Sequence, residues 1–125
     1  MFVIGGSSSP LLAKRLAEQL DANLCEVKFK RFPDNELYIR VLSDVRGEDI
    51  VLVQSTYPDD NIVELLLWQD AIRELETESL TTIIPYFGYG RQDKRFLEGE
   101  PVSARALAKC IELSTERVIA VDLHN

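Results

Sequence analysis

The sequence is poor in the residues that build disulfide and metal sites. Its 125 residues include two cysteines and one histidine. Cys25 and Cys110 are far apart, belong to no C-x-x-C pair and have apolar neighbours. These residues do not supply the ligand set of a dedicated zinc site, and they predict two buried thiols in a reducing cytoplasm.

Long apolar runs are also missing. Runs such as residues 65–68 are far too short to cross a bilayer. The first ten residues lack the basic start and the apolar length of a signal peptide. We therefore expect a cytoplasmic protein with no membrane partner.

Positive charge is in short supply. Fourteen Lys and Arg residues stand against twenty-one Asp and Glu residues, which gives a net charge of −7. Such a surface repels polyanions, so we expect no nucleic-acid partner, and any phosphate site has to be a local cationic exception. With 46% hydrophobic residues, the chain has the composition of one ordinary globular domain.

The common glycine-rich and nucleophile motifs are absent. The segment Gly5-Gly6-Ser7-Ser8 does not fit G-x-G-x-x-G, and the residues from Gly88 to Asp93 have an aspartate where the third glycine belongs. No P-loop and no G-x-S-x-G nucleophile elbow occur in the sequence. These patterns therefore give no dinucleotide-binding, P-loop or serine-hydrolase assignment.

Short apolar runs alternate with helical patterns along the chain. The predicted strands are residues 2–5, 24–30, 36–41, 50–54, 80–85 and 117–123, and the predicted helices are residues 10–20, 61–75 and 101–113. This order predicts an α/β fold, with a mostly parallel doubly wound sheet, helices on both faces and an antiparallel hairpin. The chain stops at Asn125, at the tip of a strand expected to be central, so we expect a fragment of a longer protein.

Two details concern the starts and faces of the helices. Ser9-Pro10 predicts a helix start, and Asn61 with Glu64 three residues later predicts a capping box. The second helix is apolar nearly all round. It is either sandwiched in the core, which we favour, or it carries a subunit contact.

The connection after the strand at residues 80–85 is unusually long for a link between a strand and a helix. Its segment 91–95 carries Arg91, Lys94 and Arg95 against Asp93, a local charge of +2. Such cations are suited to grip the oxygens of a polyphosphate. The alternative is a solvated surface loop, since Glu98 and Glu100 return the whole stretch to neutrality.

Two further segments carry candidate chemistry. If the last predicted strand extends to them, Asp122 and His124 would point to one side of its end, where they could meet a magnesium-bound phosphate or simply bond to each other. The turn at residues 31–36 presents Phe32, Asp34 and Glu36. The ring could stack on a purine while the carboxylates accept hydrogen bonds from a nucleoside, or it could fold back onto the core.

In combination and order, these segments resemble the N-terminal half of the ribose-phosphate pyrophosphokinase family. The family motifs R-F-x-D-G-E, V-R-G-E-D, D-N-x-x-E-L-L, I-P-Y-x-x-Y-x-R-Q-D, P-[IV]-S-A and D-L-H correspond to residues 31–36, 45–49, 60–66, 84–93, 101–104 and 122–124. Asn35 replaces the usual glycine, which is tolerable because Asn also adopts left-handed conformations. The short segment Gly99-Glu100-Pro101 is similar to archaeal members.

The resemblance implies a phosphoribosyltransferase-like fold and a specific reaction. The diphosphoryl group of magnesium-ATP would move to C1 of ribose 5-phosphate, giving 5-phosphoribosyl 1-diphosphate and AMP. Residues 1–125 would be the ATP-binding N-terminal domain. The ribose 5-phosphate-binding domain would be absent, and the family's catalytic lysine would lie beyond Asn125. The enzyme would self-associate as a homo-oligomer, and the fragment alone would be inactive.

The resemblance also implies residue roles. The ATP-binding residues would be Phe32, Asp34, Asn35, Glu36, Arg91, Gln92 and Asp93, with Lys94 and Arg95 as loop cations near the phosphates and His124 in contact with Mg²⁺. Phe32 and its neighbours would often reach into an adjacent subunit. The rival hypotheses are a non-catalytic, synthetase-associated or regulatory binding module on the same fold, or an unrelated flavodoxin-like domain.

Overall fold

A computed structural model of the protein describes residues 1–121. Along this range the elements are β1 (Phe2–Gly5), α1 (Pro10–Gln19), β2 (Asn23–Leu24), β3 (Val27–Arg31), β4 (Leu37–Val41), β5 (Asp49–Val53), α2 (Asp60–Arg73), β6 (Ser79–Ile84), α3 (Ser103–Glu112) and β7 (Arg117–Ala120). Among these residues, no helix has both the length and the apolar character needed to span a membrane.

The strands form a parallel sheet and a separate hairpin. The parallel sheet has the order β2-β1-β5-β6-β7, and β3 pairs with β4 in an antiparallel sheet of its own. In the parallel register Val3 lies beside Val51, and Val53 lies beside Ile83. The predicted mostly parallel α/β fold with an antiparallel hairpin is confirmed.

Alternate residues of the central strands supply two hydrophobic clusters, because successive strand side chains point to opposite faces. Val3, Val51 and Val53 pack with Ala13 and Ala17 of α1. The other cluster joins the sheet to α2, α3 and the hairpin, and its members include Ile4, Ile50, Leu52, Leu65, Trp68, Ile72, Leu80 and Ile111. The sheet is therefore covered by helices on both faces.

Helix α2 is buried along one face only. Leu65, Trp68 and Ile72 are buried. The exposed apolar side chains of the helix include Val63, Leu66 and Leu67. The prediction that the helix is sandwiched in the core is therefore wrong, because only one face is buried. The second face carries an apolar surface strip, defined by Val63, Leu66 and Leu67.

The prediction of one strand over residues 24–30 is wrong. Leu24 pairs in parallel with Val3 of β1, whereas Val27 pairs in antiparallel fashion with Val41 of β4. The amide of Cys25 still donates to the carbonyl of Val3 at 2.8 Å, so the chain leaves the main sheet directly after Cys25. Because Leu24 and Val27 pair with strands of different sheets, the apolar run forms two short strands and not one.

The capping box on α2 is also wrong. The helix begins at Asp60, and the amide Nδ2 of Asn61 donates to the carbonyl of Tyr57 at 2.8 Å. Glu64 faces inward, where its Oε2 accepts from the indole of Trp68 at 2.9 Å. The predicted start of α1 is confirmed, with Ser9 at the cap position and Pro10 as the first residue.

One of the two cysteines is exposed, so the prediction of two buried thiols is wrong. Cys25 is 6% exposed, whereas Cys110 lies on the outer surface of α3. Its neighbour Ile111 occupies the inward position of that helix and is buried. Burial raises the pKa of the Cys25 thiol above its usual value, against opposing hydrogen bonds with Ser43.

Candidate functional site

Three segments leave the parallel sheet at the carboxyl ends of neighbouring strands. Residues 6–9 follow β1, residues 54–57 follow β5 and residues 85–91 follow β6. The amide of Gly6 donates to the carbonyl of Val53 at 2.8 Å, and the amide of Gln54 donates to that of Ile83 at 3.0 Å. Ligands of open α/β sheets bind at this edge, so the site is expected there.

The turn after β1 is filled by side chains of the protein itself. The carboxylate of Glu64 accepts from the amide of Ser7 at 2.7 Å and from its hydroxyl. Gln54 Oε1 accepts from the amide of Ser8 at 3.1 Å and from its hydroxyl at 2.7 Å. Backbone amides at the start of a helix often bind phosphate, but these are already satisfied.

Gly6 is required by that close packing. A Cβ atom at this position would lie 2.1 Å from Gln54 Oε1 and 3.0 Å from Glu64 Oε2. The glycine therefore permits the turn to close on Gln54 and Glu64. This agrees with the absence of a glycine-rich phosphate motif in the sequence.

A cleft of about 440 Å³ lies beyond the ends of β5 and β6. We call it the loop cleft, and it is lined by Tyr57, Asp59 and residues 86–92. The rings of Tyr57 and Tyr86 meet edge to face, with centroids 5.7 Å apart. Arg91 and Gln92 are thus brought together with two tyrosines that sequence analysis did not single out.

Gln92 is fixed by the start of α3. Its side-chain Oε1 accepts from the hydroxyl of Ser103 at 2.9 Å, and its carbonyl accepts from the amide of Ala104 at 3.0 Å. The residue at the cap position, Val102, has no side chain that could accept these bonds. Gln92 therefore joins the loop cleft to a helix terminus.

The cations of segment 91–95 differ in their partners. The Nε of Arg95 donates to the carbonyl of Glu100 at 2.7 Å, and the carboxylate of Glu100 accepts from the amides of Phe96 and Leu97. Within residues 1–121, Arg91 and Lys94 take part in no ion pair. Their charge is therefore not neutralised by a carboxylate of the described chain.

The hairpin tip lines a different cleft, of about 460 Å³. We call it the hairpin cleft, and its lining residues are Arg31, Phe32, Asn35, Glu36, Leu37, Asp60, Val63 and Leu67. Arg31 donates to the carbonyl of Asn35 at 2.8 Å and to the carboxylate of Asp60 at 3.2 Å. Asn35 has a φ of 75°, the left-handed conformation expected for the residue in place of glycine.

Phe32 does not fold back onto the core, so that alternative is wrong. The residue is 41% exposed, and its ring meets that of Tyr38 edge to face with the centroids 5.6 Å apart. The ammonium of Lys30 lies 5.2 Å from its centroid. Asp34 Oδ1 accepts from the amide of Glu36 at 3.0 Å, which fixes the turn that presents the ring.

The two clefts have no lining residue in common. An apolar groove of about 370 Å³ between α2 and α3 shares Asp59 with the loop cleft and Val63 with the hairpin cleft. Tyr89 likewise lines both the groove and the loop cleft. Its hydroxyl donates to Asp59 at 2.8 Å, and this hydrogen bond raises the pKa of Tyr89. A single copy of the described chain thus does not bring Phe32 and Arg91 into one cavity.

Some of the sequence predictions fall on the last four residues, 122–125. The predicted metal contact, His124, lies outside the described residues, as do Asp122 and Asn125. The family's catalytic lysine is expected beyond Asn125 and so is not among the 125 residues of this sequence. Among residues 1–121, no three His, Cys, Asp or Glu side chains are grouped so that they could hold a metal ion. The metal contact and the lysine that the resemblance implies therefore stay predictions.

The parallel sheet with a cleft at its carboxyl edge defines an open α/β domain of the ligand-binding type. The model of one family, the N-terminal domain of ribose phosphate pyrophosphokinase, matches residues 1–114. The chain belongs to this family, and the resemblance inferred from its motifs is confirmed.

Individual relatives agree with the family match. The ribose-phosphate pyrophosphokinase of Methanothermobacter thermautotrophicus is 45% identical over 125 residues, covering 98% of this chain and 44% of that protein. The protein of the same name from Methanosarcina mazei is 44% identical over 122 residues, covering 98% of this chain and 40% of that protein.

A solved structure gives the same result for the fold. The crystal structure of phosphoribosylpyrophosphate synthetase from Mycobacterium smegmatis matches with a TM-score of 0.87 and 28% identity, covering 99% of this chain and 43% of the other. The chain therefore spans about two fifths of the length of these relatives.

Proposed function

We propose that residues 1–125 form the ATP-binding half of a ribose-phosphate pyrophosphokinase. The assignment of the reaction is supported by relatives that are named ribose-phosphate pyrophosphokinase. The observation that carries the assignment of ATP is the loop segment 91–95, which has a charge of +2 in a chain of −7 and follows the loop cleft at the carboxyl edge of the sheet. A polyphosphate is the anion that such a local cationic site fits.

The proposed reaction moves one group between two oxygens. The C1 hydroxyl of ribose 5-phosphate attacks the β-phosphorus of ATP and loses its proton, while the bond from that phosphorus to the α,β-bridging oxygen breaks and AMP departs. No covalent intermediate on the protein is needed, so catalysis consists of positioning and charge neutralisation. Arg91, Lys94 and Arg95 would supply positive charge.

The nucleoside end would use the hairpin tip. Phe32 would stack on adenine, and Asp34 and Glu36 would accept hydrogen bonds from the nucleoside. The exposure of the Phe32 ring supports this role, because an exposed ring on a turn gains stability when a flat ligand covers it. The left-handed Asn35 shapes the tip.

Because hairpin cleft and loop cleft are separate, we propose that the hairpin of one subunit serves the loop cleft of a neighbour. The apolar surface strip on α2 supports an association of subunits near the hairpin, since Val63 and Leu67 also line the hairpin cleft. Under this proposal the nucleotide site exists only in the homo-oligomer.

Ribose 5-phosphate and the catalytic lysine would belong to a second domain beyond Asn125, so the 125 residues alone would form no 5-phosphoribosyl 1-diphosphate. Magnesium would enter with the nucleotide, because Mg²⁺ is usually held by substrate phosphates and few protein groups. His124 stays the proposed protein contact for the metal.

The test compares two phenylalanines of the same hairpin. Phe32 and Phe29 are 41% and 40% exposed, but only Phe32 lines the hairpin cleft. Stacking on a base contributes about 1–3 kcal/mol, so Phe32→Ala should weaken binding of magnesium-ATP to the full-length protein by about tenfold to a hundredfold. Calorimetric titration with a non-hydrolysable analogue measures the dissociation constants.

Phe29→Ala should leave ATP affinity within about threefold, and neither variant should change the affinity for ribose 5-phosphate. Equal losses in both variants would mean that the hairpin matters only for folding. No ATP binding by the unsubstituted protein would contradict the proposed function itself.

A further inference from the structure

Three consecutive polar residues follow the apolar strand β5. Gln54 and Thr56 are fully buried and Ser55 is nearly so. Burying a polar side chain costs free energy unless it finds a hydrogen-bond partner. The partners of these residues therefore indicate what the residues do.

Ser55 and Thr56 bind the backbone of the connection after β6. The hydroxyl of Ser55 accepts from the amide of Tyr86 at 3.1 Å. The amide of Thr56 donates to the carbonyl of Tyr86 at 3.0 Å, and its hydroxyl accepts from the amide of Gly88 at 2.7 Å. Thr56 thus holds the connection at two points.

Gly88 approaches Thr56 more closely than a Cβ atom normally allows. A Cβ atom on Gly88 would lie 3.0 Å from the carbonyl oxygen of Thr56 and 3.2 Å from Cβ of Tyr57. The backbone of Gly88 therefore packs tightly against the backbone of Thr56.

The backbone from Gly88 leads directly to the cation that faces the loop cleft. The amide of Gly90 donates to the carbonyl of Phe87 at 3.2 Å, and the amide of Gln92 donates to that of Tyr89 at 2.9 Å. These successive turns carry Arg91. The position of Gly88 therefore sets where the turns begin and where the Arg91 guanidinium is presented.

We propose that Thr56 is a positioning residue, whose buried hydroxyl places Arg91 on the ATP phosphates through the amide of Gly88. The proposal rests on the proposed function, because it assumes that Arg91 binds ATP. Thr56 itself does not line the loop cleft. Its effect on the nucleotide is therefore transmitted through the backbone.

The test removes the hydroxyl without changing the shape of the side chain. In Thr56→Val the amide of Gly88 keeps its burial and loses its acceptor, so the turn should shift and ATP affinity of the full-length protein should fall by about tenfold. Thr56→Ser restores the hydroxyl and should bring the affinity back to within about threefold. Titration with the magnesium-ATP analogue measures both.

The matched control is a second buried threonine, which lies in the neighbouring strand β6. Thr82 of β6 is fully buried, and its hydroxyl bonds to Gln69 and Thr115, both at 3.1 Å. Thr82→Val should lower the melting temperature while ATP affinity stays within about threefold. Equal loss of affinity in both valine variants would overturn the proposal, because the effect would then be one of stability alone.

Hydrogen exchange of the peptide covering residues 86–91 gives a readout without ATP. Exchange at Gly88 should be faster in Thr56→Val and unchanged in Thr56→Ser and Thr82→Val. Faster exchange together with normal ATP affinity would overturn the positioning role while leaving the proposed function intact. A protein that binds no ATP at all would instead remove the proposed function, and the positioning role with it.

Should Thr56→Val fail to fold, Gly88→Ala provides the second variant. The added methyl group would lie 3.0 Å from the carbonyl oxygen of Thr56. We expect the turn to shift to relieve this contact, with the same loss of ATP affinity although Thr56 is intact. Normal affinity in Gly88→Ala would overturn the proposal.

Discussion

At the scale of single residues, the two cysteine side chains differ in their exposure to solvent. The Cys25 sulfur lies in the core cluster and is 3.4 Å from the carbonyl oxygen of Glu26, to which its thiol donates. Cys110 lies on the exposed side of α3. A thiol reacts as its thiolate and only where reagent can reach it, so the two should differ widely in reactivity.

We predict that an alkylating reagent labels Cys110 of the native protein at least about a hundredfold faster than Cys25. Reaction at Cys25 needs an opening of the core, which costs several kcal/mol, and burial raises the pKa of this thiol. Mass spectrometry counts the adducts over time. Cys110→Ser should abolish the fast phase, and two equally fast adducts on the folded protein would contradict the burial of Cys25.

At the scale of elements, one carboxylate joins the end of α2 to the segment before β7. Glu116 accepts from both terminal nitrogens of Arg73, with Nη2 to Oε1 at 2.7 Å, and from the amide of Leu80 at 2.7 Å. Partial desolvation raises the pKa of Glu116, but the hydrogen bonds from Arg73 and Leu80 outweigh it and hold the pKa below its ordinary value of 4.5.

A depressed carboxyl pKa stabilises the folded state above the unfolded pKa and loses this effect as pH falls through the folded pKa. We predict that Glu116→Gln lowers the free energy of unfolding by about 1 kcal/mol or less at pH 7, since the pair is partly exposed. The difference from the unsubstituted protein should shrink below pH 4.5. Urea unfolding across the pH range measures it.

Glu112→Gln is the control, because it removes the same charge from an exposed side chain with no ion pair among residues 1–121. The free energy of unfolding of this variant should differ little from that of the unsubstituted protein at any pH tested. A Glu116→Gln effect that stays constant down to about pH 3 would show that packing, and not the ionised carboxylate, supplies the stability.

Sequence analysis predicted the elements well and their local partners less well. Alternation of apolar and polar residues and short apolar runs identify the strands. The run at residues 24–30, however, does not reveal that Leu24 and Val27 pair in different sheets. The spacing of Asn61 and Glu64 predicts that Glu64 caps the helix. In the structure Glu64 instead bonds to Ser7 and Trp68, and Ser7 belongs to the turn after β1, which is distant in sequence. Local signals carry no information about such partners.

At the scale of the whole molecule, the apolar surface strip on α2 is a candidate interaction surface. Val63, Leu66 and Leu67 lie at spacings that share one helix face, and all are exposed. Contiguous exposed apolar surface often marks an interaction site. Its proximity to the hairpin cleft, which Val63 and Leu67 line, connects association with the candidate site.

We predict that the protein self-associates through this strip and that Leu66→Glu shifts it toward monomers, because a charge would then be buried in the interface. Sedimentation velocity over a range of concentrations measures the distribution. Leu11→Glu, on the exposed surface of α1, should sediment like the unsubstituted protein. An unsubstituted protein that stays monomeric at every concentration would contradict the prediction.

The site was predictable in its parts and not in its arrangement. The charge of residues 91–95 and the ring at Phe32 identify both candidate segments from the sequence. Their separation into two clefts could not be predicted, because it depends on how the hairpin packs on α2. Tyr57 and Tyr86 were missed because aromatic residues at strand ends are ordinary, although the polar triplet 54–56 after an apolar strand gave a usable signal.

The separate pairing of β3 with β4 has a consequence for how such proteins diverge. Within the described part of the chain, the hairpin shares no strand ladder with the five-stranded sheet. Insertions or substitutions at its tip therefore leave the register of the main sheet unchanged. Under the proposed function, the hairpin residues that recognise the base could therefore change together, or be exchanged between relatives by recombination. Such changes would not require changes in the cationic segment 91–95 or in the five-stranded sheet.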